Sequence, residues 1–351
     1  MNLSISNSRP YRREFMVCAL LCLGVLASLC VLGALLWKKT PLNTRKIASA
    51  SIAWPDGDEY FLANARQPVE VGIFYHKLDP DLEANLKKAE ILWIGNSRIM
   101  YLFSGDKGRA LLSPKGSGGF ALGFGFAECQ ILPLELIKRY DLHPRIVIVN
   151  CDRFFRDRAS KWSETIMRQS AWNSRKLCFE ANTSLFIEYY LHQFLPHWPE
   201  ILNESSPPVF FRSRRNGSWL PFYAYDTMPS IPFVASVPEH IFSIPSKPQG
   251  YAQDFQDELS KRGSRLALIY VPRPGGNPNE ARAFAELLQV PLALTTYTSL
   301  NTIDGSHLDK DSADAALVEL VGSLNAQHVF DETHINLQSI DLLSPIDAQQ
   351  R

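Results

Sequence analysis

Residues 91–98, Ile91-Leu92-Trp93-Ile94-Gly95-Asn96-Ser97-Arg98, decide how the rest of the chain is read. Four consecutive large apolar residues suit a short strand buried on both faces. Gly95-Asn96-Ser97 then stops the run with a tight turn, and a helix is expected to start near Arg98. Upstream, Leu-Asp-Pro-Asp-Leu-Glu-Ala-Asn-Leu-Lys-Lys-Ala-Glu at 78–90 fits a short amphipathic helix. Downstream, the Gly-rich segment 116–128 predicts a strand around 120–125 and a helix near 128–140 that ends before His143-Pro144. A third strand, Arg145-Ile146-Val147-Ile148-Val149, is continuous and β-branched, as a strand covered on both faces should be. Strand, helix, strand, helix, strand implies parallel pairing.

The alternation then breaks. Residues 153–262 carry helical stretches at about 160–195, followed by an aromatic segment from Pro196 to Pro248 that holds ten of the chain's 23 prolines. It resumes with Arg265–Val271 as a strand, 278–289 as a helix, 291–294 as a short strand and a last helix over about 309–324, capped by Asp309. This pattern predicts one doubly wound α/β domain over 88–330, with an insertion at 153–262 between its third and fourth strands and a tail at 331–351.

Composition narrows the function classes. The 351 residues carry 36 Lys+Arg and 36 Asp+Glu, with 46% hydrophobic side chains. Beyond residue 46 acidic residues outnumber basic ones by six, and no basic stripe is present, which argues against nucleic acid as a partner. After a tail at 1–15, residues 16–37 contain no charged side chain, and at about 1.5 Å per residue they match a bilayer core as one membrane-spanning helix. The run closes on Trp37-Lys38-Lys39, an interfacial aromatic followed by cations, which fits an uncleaved anchor better than a signal peptide. A linker and lead-in fill 38–87. Arg9, Arg12 and Arg13 before the span balance Lys38, Lys39, Arg45 and Lys46 after it, so charge does not orient it. Three cysteines fall in the span, and Cys129, Cys151 and Cys178 suit small buried hydrophobes better than a disulfide framework or zinc site.

Two short segments carry the chemistry. Ser97 stands at the carboxyl end of the first strand, in the turn leading into a helix, where open α/β sheets bind ligands. Asp304-Gly305-Ser306-His307 lies just before the last helix and opens onto the same rim. Its three-residue offset lets the Asp304 carboxylate meet the His307 ring of its own loop while the other ring nitrogen faces Ser97, the arrangement a general base needs. Taken singly, each segment is an ordinary turn or helix cap.

Together these residues resemble the SGNH, or GDSL-type, hydrolase and acyltransferase superfamily, over about 88–152 and 263–324. The resemblance implies a flavodoxin-like three-layer α/β/α sandwich with a parallel sheet. It implies Ser97 as nucleophile, His307 as general base and then general acid, and Asp304 as the orienting carboxylate. The family's second-block glycine, a backbone oxyanion donor, matches Gly125 or Phe126 depending on register. Its third-block Asn matches imperfectly: Asn150 comes two residues early and Asp152 occupies the expected position, where an ionised carboxylate cannot donate. Asn96 replaces the usual first-block acid. The single anchor plus such a domain also looks like bacterial envelope proteins that add or remove acyl groups on extracytoplasmic polysaccharides. The expectation is therefore a serine esterase or O-acyltransferase, acting on acetyl or other O-acyl groups of an envelope polysaccharide. It would be held by one helix in the bacterial inner membrane, with its body on the periplasmic side and a membrane acyl-donor protein as a further partner. No cofactor and no metal is expected. The rival expectation is an inactive SGNH-like protein that binds glycan or an assembly partner.

Other motifs fail. The G-x-S-x-G elbow lacks its last glycine at Ile99, Gly123-Phe124-Gly125 meets Glu128 where a dinucleotide site needs Gly or Ala, and no P-loop occurs. His192 and His197 fit a packed surface better than a metal site. In the insertion, Trp198, Phe210, Phe211, Trp219, Phe222, Tyr223 and Tyr225, with Arg212, Arg214 and Arg215, could stack on sugars and bind acidic groups; a buried satellite core is the commoner fate of such aromatics.

Overall fold

A computed structural model describes residues 56–64, 68–112, 119–125, 128–194, 209–221, 230–234, 242–297 and 299–331. The chain enters through β1 (Tyr60–Asn64) and α1 (Val69–Tyr75), a helix buried along its whole length. α2 (Pro80–Lys87) begins where its sequence directs. Asp79 caps it by accepting from the N–H groups of Asp81 and Leu82, Pro80 needs no partner at the first position, and Lys87 faces the negative end of the dipole. β2 (Ile91–Gly95) runs into α3 (Ser97–Leu102), then α4 (Asp106–Leu111), β3 (Gly119–Gly123), α5 (Ile131–Tyr140) and β4 (Ile146–Asn150). Next come α6 (Lys161–Arg168), α7 (Ala171–Phe194) and three short strands, β5 (Phe210–Ser213), β6 (Trp219–Pro221) and β7 (Ile231–Val234). The chain closes with α8 (Ser246–Lys261), β8 (Arg265–Tyr270), α9 (Pro278–Leu288), β9 (Leu292–Leu294), β10 (Ser299–Thr302) and α10 (Lys310–Ala326).

Five strands form one parallel sheet in the order β3-β2-β4-β8-β9. Numbered by their own succession this is 2-1-3-4-5, a doubly wound order whose direction reverses at β2. Successive side chains of a strand point to opposite faces, so β2 serves both layers. Leu92 and Ile94 pack with α1, α2, α5, α8 and α9, whereas Ile91 and Trp93 pack with α3, α4 and α10. Trp93 is fully buried, edge-on to Phe103 with ring centroids 5.2 Å apart. Burying such side chains supplies about 1.5–3 kcal/mol each, which is why continuous apolar runs form these strands. The layers are a mixed α/β fold of three-layer sandwich type. α10 is fastened to α4 by Asp314, whose carboxylate accepts from the N–H groups of Asp106, Lys107 and Gly108.

The segment between β4 and β8 divides in two. α8 packs against β8 and α9, with Phe255 fully buried, so the stretch just before β8, placed by the sequence in the insertion, is a layer helix of the sandwich. The β5–β6 hairpin instead joins β1 in a three-stranded antiparallel sheet. Arg212 locks it down at 0% exposure. Its guanidinium donates to Glu70 at 2.7 Å and to the carbonyls of Ala121 and Gly217 at 2.6 and 2.9 Å. The hairpin turns through Gly217 (φ 72°), where a side chain would strike the Ala121 carbonyl. Arg214 is buried likewise on Asp79. Phe210, Phe211 and Trp219 are buried, Phe211 in the core on one face of the parallel sheet and Phe210 and Trp219 in the core on the other, so they join the main core instead of forming a satellite one, while Trp198, Phe222, Tyr223 and Tyr225 lie outside the described residues. A pairing that the sequence did not announce is the ribbon of β7 against β10, just before the Asp304–His307 loop.

Cys129, Cys151 and Cys178 are buried and form no disulfide. The expected anchor at 16–37 lies outside the described residues, as do Phe126 and the tail from 332. No helix among the described residues is long and apolar enough to cross a membrane.

Candidate active site

The rim at the carboxyl ends of the parallel strands collects most of the residues singled out above. β2 ends at Gly95, Asn96 caps α3 by accepting the Arg98 N–H at 3.0 Å, and Ser97 is the first helical residue. Across the rim, β10 gives way to a loop closed by the bridge between Thr302 and Leu308 and by the Ile303 N–H donating to the His307 carbonyl at 2.9 Å. Within it Gly305 adopts φ 75°, a left-handed turn position that a side chain would strain. Asp309, at the end of the loop, caps α10.

The loop presents an ordered acid–imidazole pair to the serine. Asp304 Oδ1 accepts from the N–H groups of Ser306 and His307, each at 2.9 Å, and its Oδ2 lies 2.7 Å from His307 Nδ1. His307 Nε2 lies 2.7 Å from Ser97 Oγ. The sequence separates these partners by 210 residues, and the fold aligns them as carboxylate, imidazole and hydroxyl. Burial alone would raise the Asp304 carboxyl, but the His307 side chain and charge, with the two backbone N–H groups, outweigh it and hold the carboxyl at about 2. Asp304 is therefore ionised over the working range, which fixes the proton of a neutral His307 on Nδ1 and leaves Nε2 to accept one from Ser97. The Tyr101 ring of α3 stacks on the imidazole.

The other expected site residues fall differently. Gly125 lies two residues past β3 on the same side, beside the Trp219 ring. Asn150 is turned into the sheet: its Oδ1 accepts the Val271 N–H at 3.0 Å, lashing β4 to the end of β8. Its buried Nδ2 has no partner among the described residues. Asp152 is 2% exposed and serves as an ion-pair partner, binding Arg98 and, at 3.1 Å, the Nε of Arg273. The next residue, Arg153, takes φ 52°, an uncommon conformation for a side-chain-bearing residue.

Sequence reasoning missed Tyr101, Arg98 and Arg273. Arg98 follows the nucleophile candidate directly and could have been noticed; Arg273 and Tyr101 carry no motif. A cavity of about 310 Å³ lies elsewhere, at the amino ends of β4 and β8 beside Pro291 and Val329. Among the described residues no group of three or more His, Cys, Asp or Glu side chains converges as a metal site would require. Comparison with protein-family models, with curated proteins and with solved structures gave no match.

Proposed function

We propose that this chain is an SGNH-type serine esterase or O-acyltransferase that acts on O-linked acyl groups, acetyl foremost, of a cell-envelope polysaccharide. One observation carries the proposal: the unbroken chain of 2.7 Å contacts from Asp304 through His307 to Ser97. Ser97 Oγ attacks the acyl carbonyl carbon as its proton passes to His307 Nε2. The tetrahedral intermediate collapses when His307 returns that proton to the leaving sugar oxygen, leaving an acyl-serine. A second hydroxyl or water, deprotonated by His307, then takes the acyl group and restores Ser97. Backbone N–H groups of Ser97 and Gly125 are the donors assigned to the oxyanion. The charge-free run 16–37 would anchor the protein in a bacterial inner membrane with its body outside the cytoplasm, beside a membrane protein that delivers activated acyl groups.

A second assignment has its own support. Asn150 is held through its Oδ1 by the Val271 N–H with its Nδ2 buried, and Asp152 is paired with two arginines, so neither presents at the rim the side-chain donor that such enzymes use at the third position. Losing one oxyanion donor typically costs about 10²–10³ in rate, which would suit an inactive envelope protein that binds glycan. Labelling with a fluorophosphonate probe, together with turnover of an aryl acetate, separates the two. The enzyme labels at Ser97 and turns over, and Ser97→Ala and His307→Ala abolish both; absence of labelling in the wild-type chain refutes the enzyme.

A further inference from the structure

Beside the triad lies a cluster of guanidinium groups that nucleophile activation does not use. Arg98 pairs with Asp152 and donates from Nη2 to Ser306 Oγ at 3.2 Å, one residue from His307. Arg273, three residues past β8, sets its Nε 3.1 and 3.2 Å from the two Asp152 oxygens and gives Nη1 to the Pro274 carbonyl. Among the described residues its Nη2 makes no hydrogen bond, and the buried Nε of Arg98 has no partner. The two arginine side chains are 17% and 16% exposed, so both sit largely out of water but reach the surface.

Charge does not balance here. One carboxylate serves two guanidiniums, and Arg153 lies close enough to add to the positive field at Arg98. The other acid of the neighbourhood, Glu280, is only partly ionised near neutrality. Asp304 is engaged with His307. An excess of largely buried cations is costly unless an anion completes it, and the guanidinium fork matches a carboxylate or phosphate in two parallel hydrogen bonds.

We infer that Arg98 and Arg273 bind an anionic group, a carboxylate or a phosphate, that the substrate carries close to the ester attacked by Ser97. The inference rests on Ser97 being the nucleophile and names the substrate class of that site. The anion can belong to the acyl side, as in the half-ester of a dicarboxylic acid, or to the alcohol side, as in a uronic acid or a phosphorylated sugar.

Two matched pairs of esters decide between these sources. For the acyl side the pair is 4-nitrophenyl acetate and 4-nitrophenyl hydrogen succinate; for the alcohol side it is O-acetylated methyl glucoside and O-acetylated methyl glucuronoside. The wild-type chain should favour the anionic member of one pair by about tenfold or more in kcat/KM, and the preference should shrink as salt is added. Arg273→Gln should bring that ratio close to one, and Arg273→Lys should restore it only in part. Equal rates within both pairs, or a ratio that Arg273→Gln leaves intact, overturn the inference. Thermal melting with succinate or inorganic phosphate keeps the two levels apart. A chain that fails to label with fluorophosphonate, yet is stabilised by either anion in an Arg273-dependent way, keeps the anion site and loses the nucleophile. One that labels but discriminates in neither assay keeps the nucleophile and loses the anion site.

Discussion

The Tyr101 ring lies against the His307 imidazole, with centroids 4.2 Å apart and planes inclined by 25°. Tyr101 itself packs edge-on against both Phe210 and Trp219 of the β5–β6 hairpin, at 5.7 and 6.0 Å. The hairpin supplied by the long connection between β4 and β8 thus backs the imidazole through one intervening ring. A stacked aromatic face limits rocking of the imidazole and holds its Nε2 toward Ser97. Tyr101→Ala should lower kcat about 10- to 100-fold with little change in KM, because misplacing a general base by a fraction of an ångström degrades proton transfer. Tyr101→Phe, which keeps the stack, should restore most of the rate. Steady-state kinetics on an aryl acetate checks both, and an equal loss in the two variants would assign the effect to the phenol hydroxyl instead.

Asp304→Asn tests the orienting role without emptying the loop. The amide oxygen can still accept from the Ser306 and His307 N–H groups, so the turn should persist. Its NH₂ group, however, would face His307 Nδ1 as a donor and move the ring proton to Nε2, where it blocks acceptance from Ser97. The expected loss is about 10²–10⁴ in kcat, with an unchanged melting temperature at pH 7. A chemical-shift measurement on the labelled imidazole would show the tautomer change directly.

The parallel sheet and the alignment of Ser97, His307 and Asp304 were legible in the sequence for the same reason: each depends on local signals. Ile91–Ile94, Ile146–Val149 and Leu266–Ile269 announce buried strands by continuity, and turn residues mark where each ends. Ser97 and the Asp304–His307 loop are recognisable because the doubly wound order places strand ends on one rim. What could not be read was set by pairing over long separations. Nothing in Tyr60–Asn64 announces its register with Phe210–Ser213, since an antiparallel partner about 150 residues away leaves no periodic mark. Arg212 likewise looked like a candidate for acidic ligands, and only its burial against Glu70 shows that its charge is consumed internally. Asn150 and Asp152 stood out in the sequence as a departure from a motif, but what they do was not legible, because their partners, Val271 and Arg273, lie about 120 residues away.

The Arg212–Glu70 pair predicts an asymmetry in stability. Both side chains are essentially unexposed, and burial pushes the guanidinium pKa down while the Glu70 charge pulls it back up. Removing one partner leaves an uncompensated buried charge, so Glu70→Leu alone should cost about 3–5 kcal/mol in urea unfolding. The paired replacement, Glu70→Leu with Arg212→Met, removes both desolvated charges and should recover much of that loss, although the carbonyls of Ala121 and Gly217 lose a donor. Full additivity of the two single losses would show that the charges do not interact across the hairpin.

Glu280 sets a pH dependence whose sign can be worked out. Burial is the main cause that lifts its carboxyl from the ordinary 4.5 to about 7; the nearby Asp152 charge adds to the rise, and the Arg153 backbone N–H with the Arg153 and Arg156 charges opposes it. The folded chain therefore holds this proton more tightly than the unfolded chain does. Between pH 4.5 and 7 the native state binds more protons at this site, so its contribution to stability is fully present below pH 4.5 and is lost as the pH rises through 7. Glu280→Gln keeps the shape and stays neutral at every pH. The variant should melt with the wild-type chain below about pH 4.5 and a few degrees above it at pH 8, with the gap opening across the interval between. A constant gap at all pH values would mean that Glu280 titrates as an exposed carboxylate and that the charge surplus around Arg98 and Arg273 is smaller than its geometry indicates.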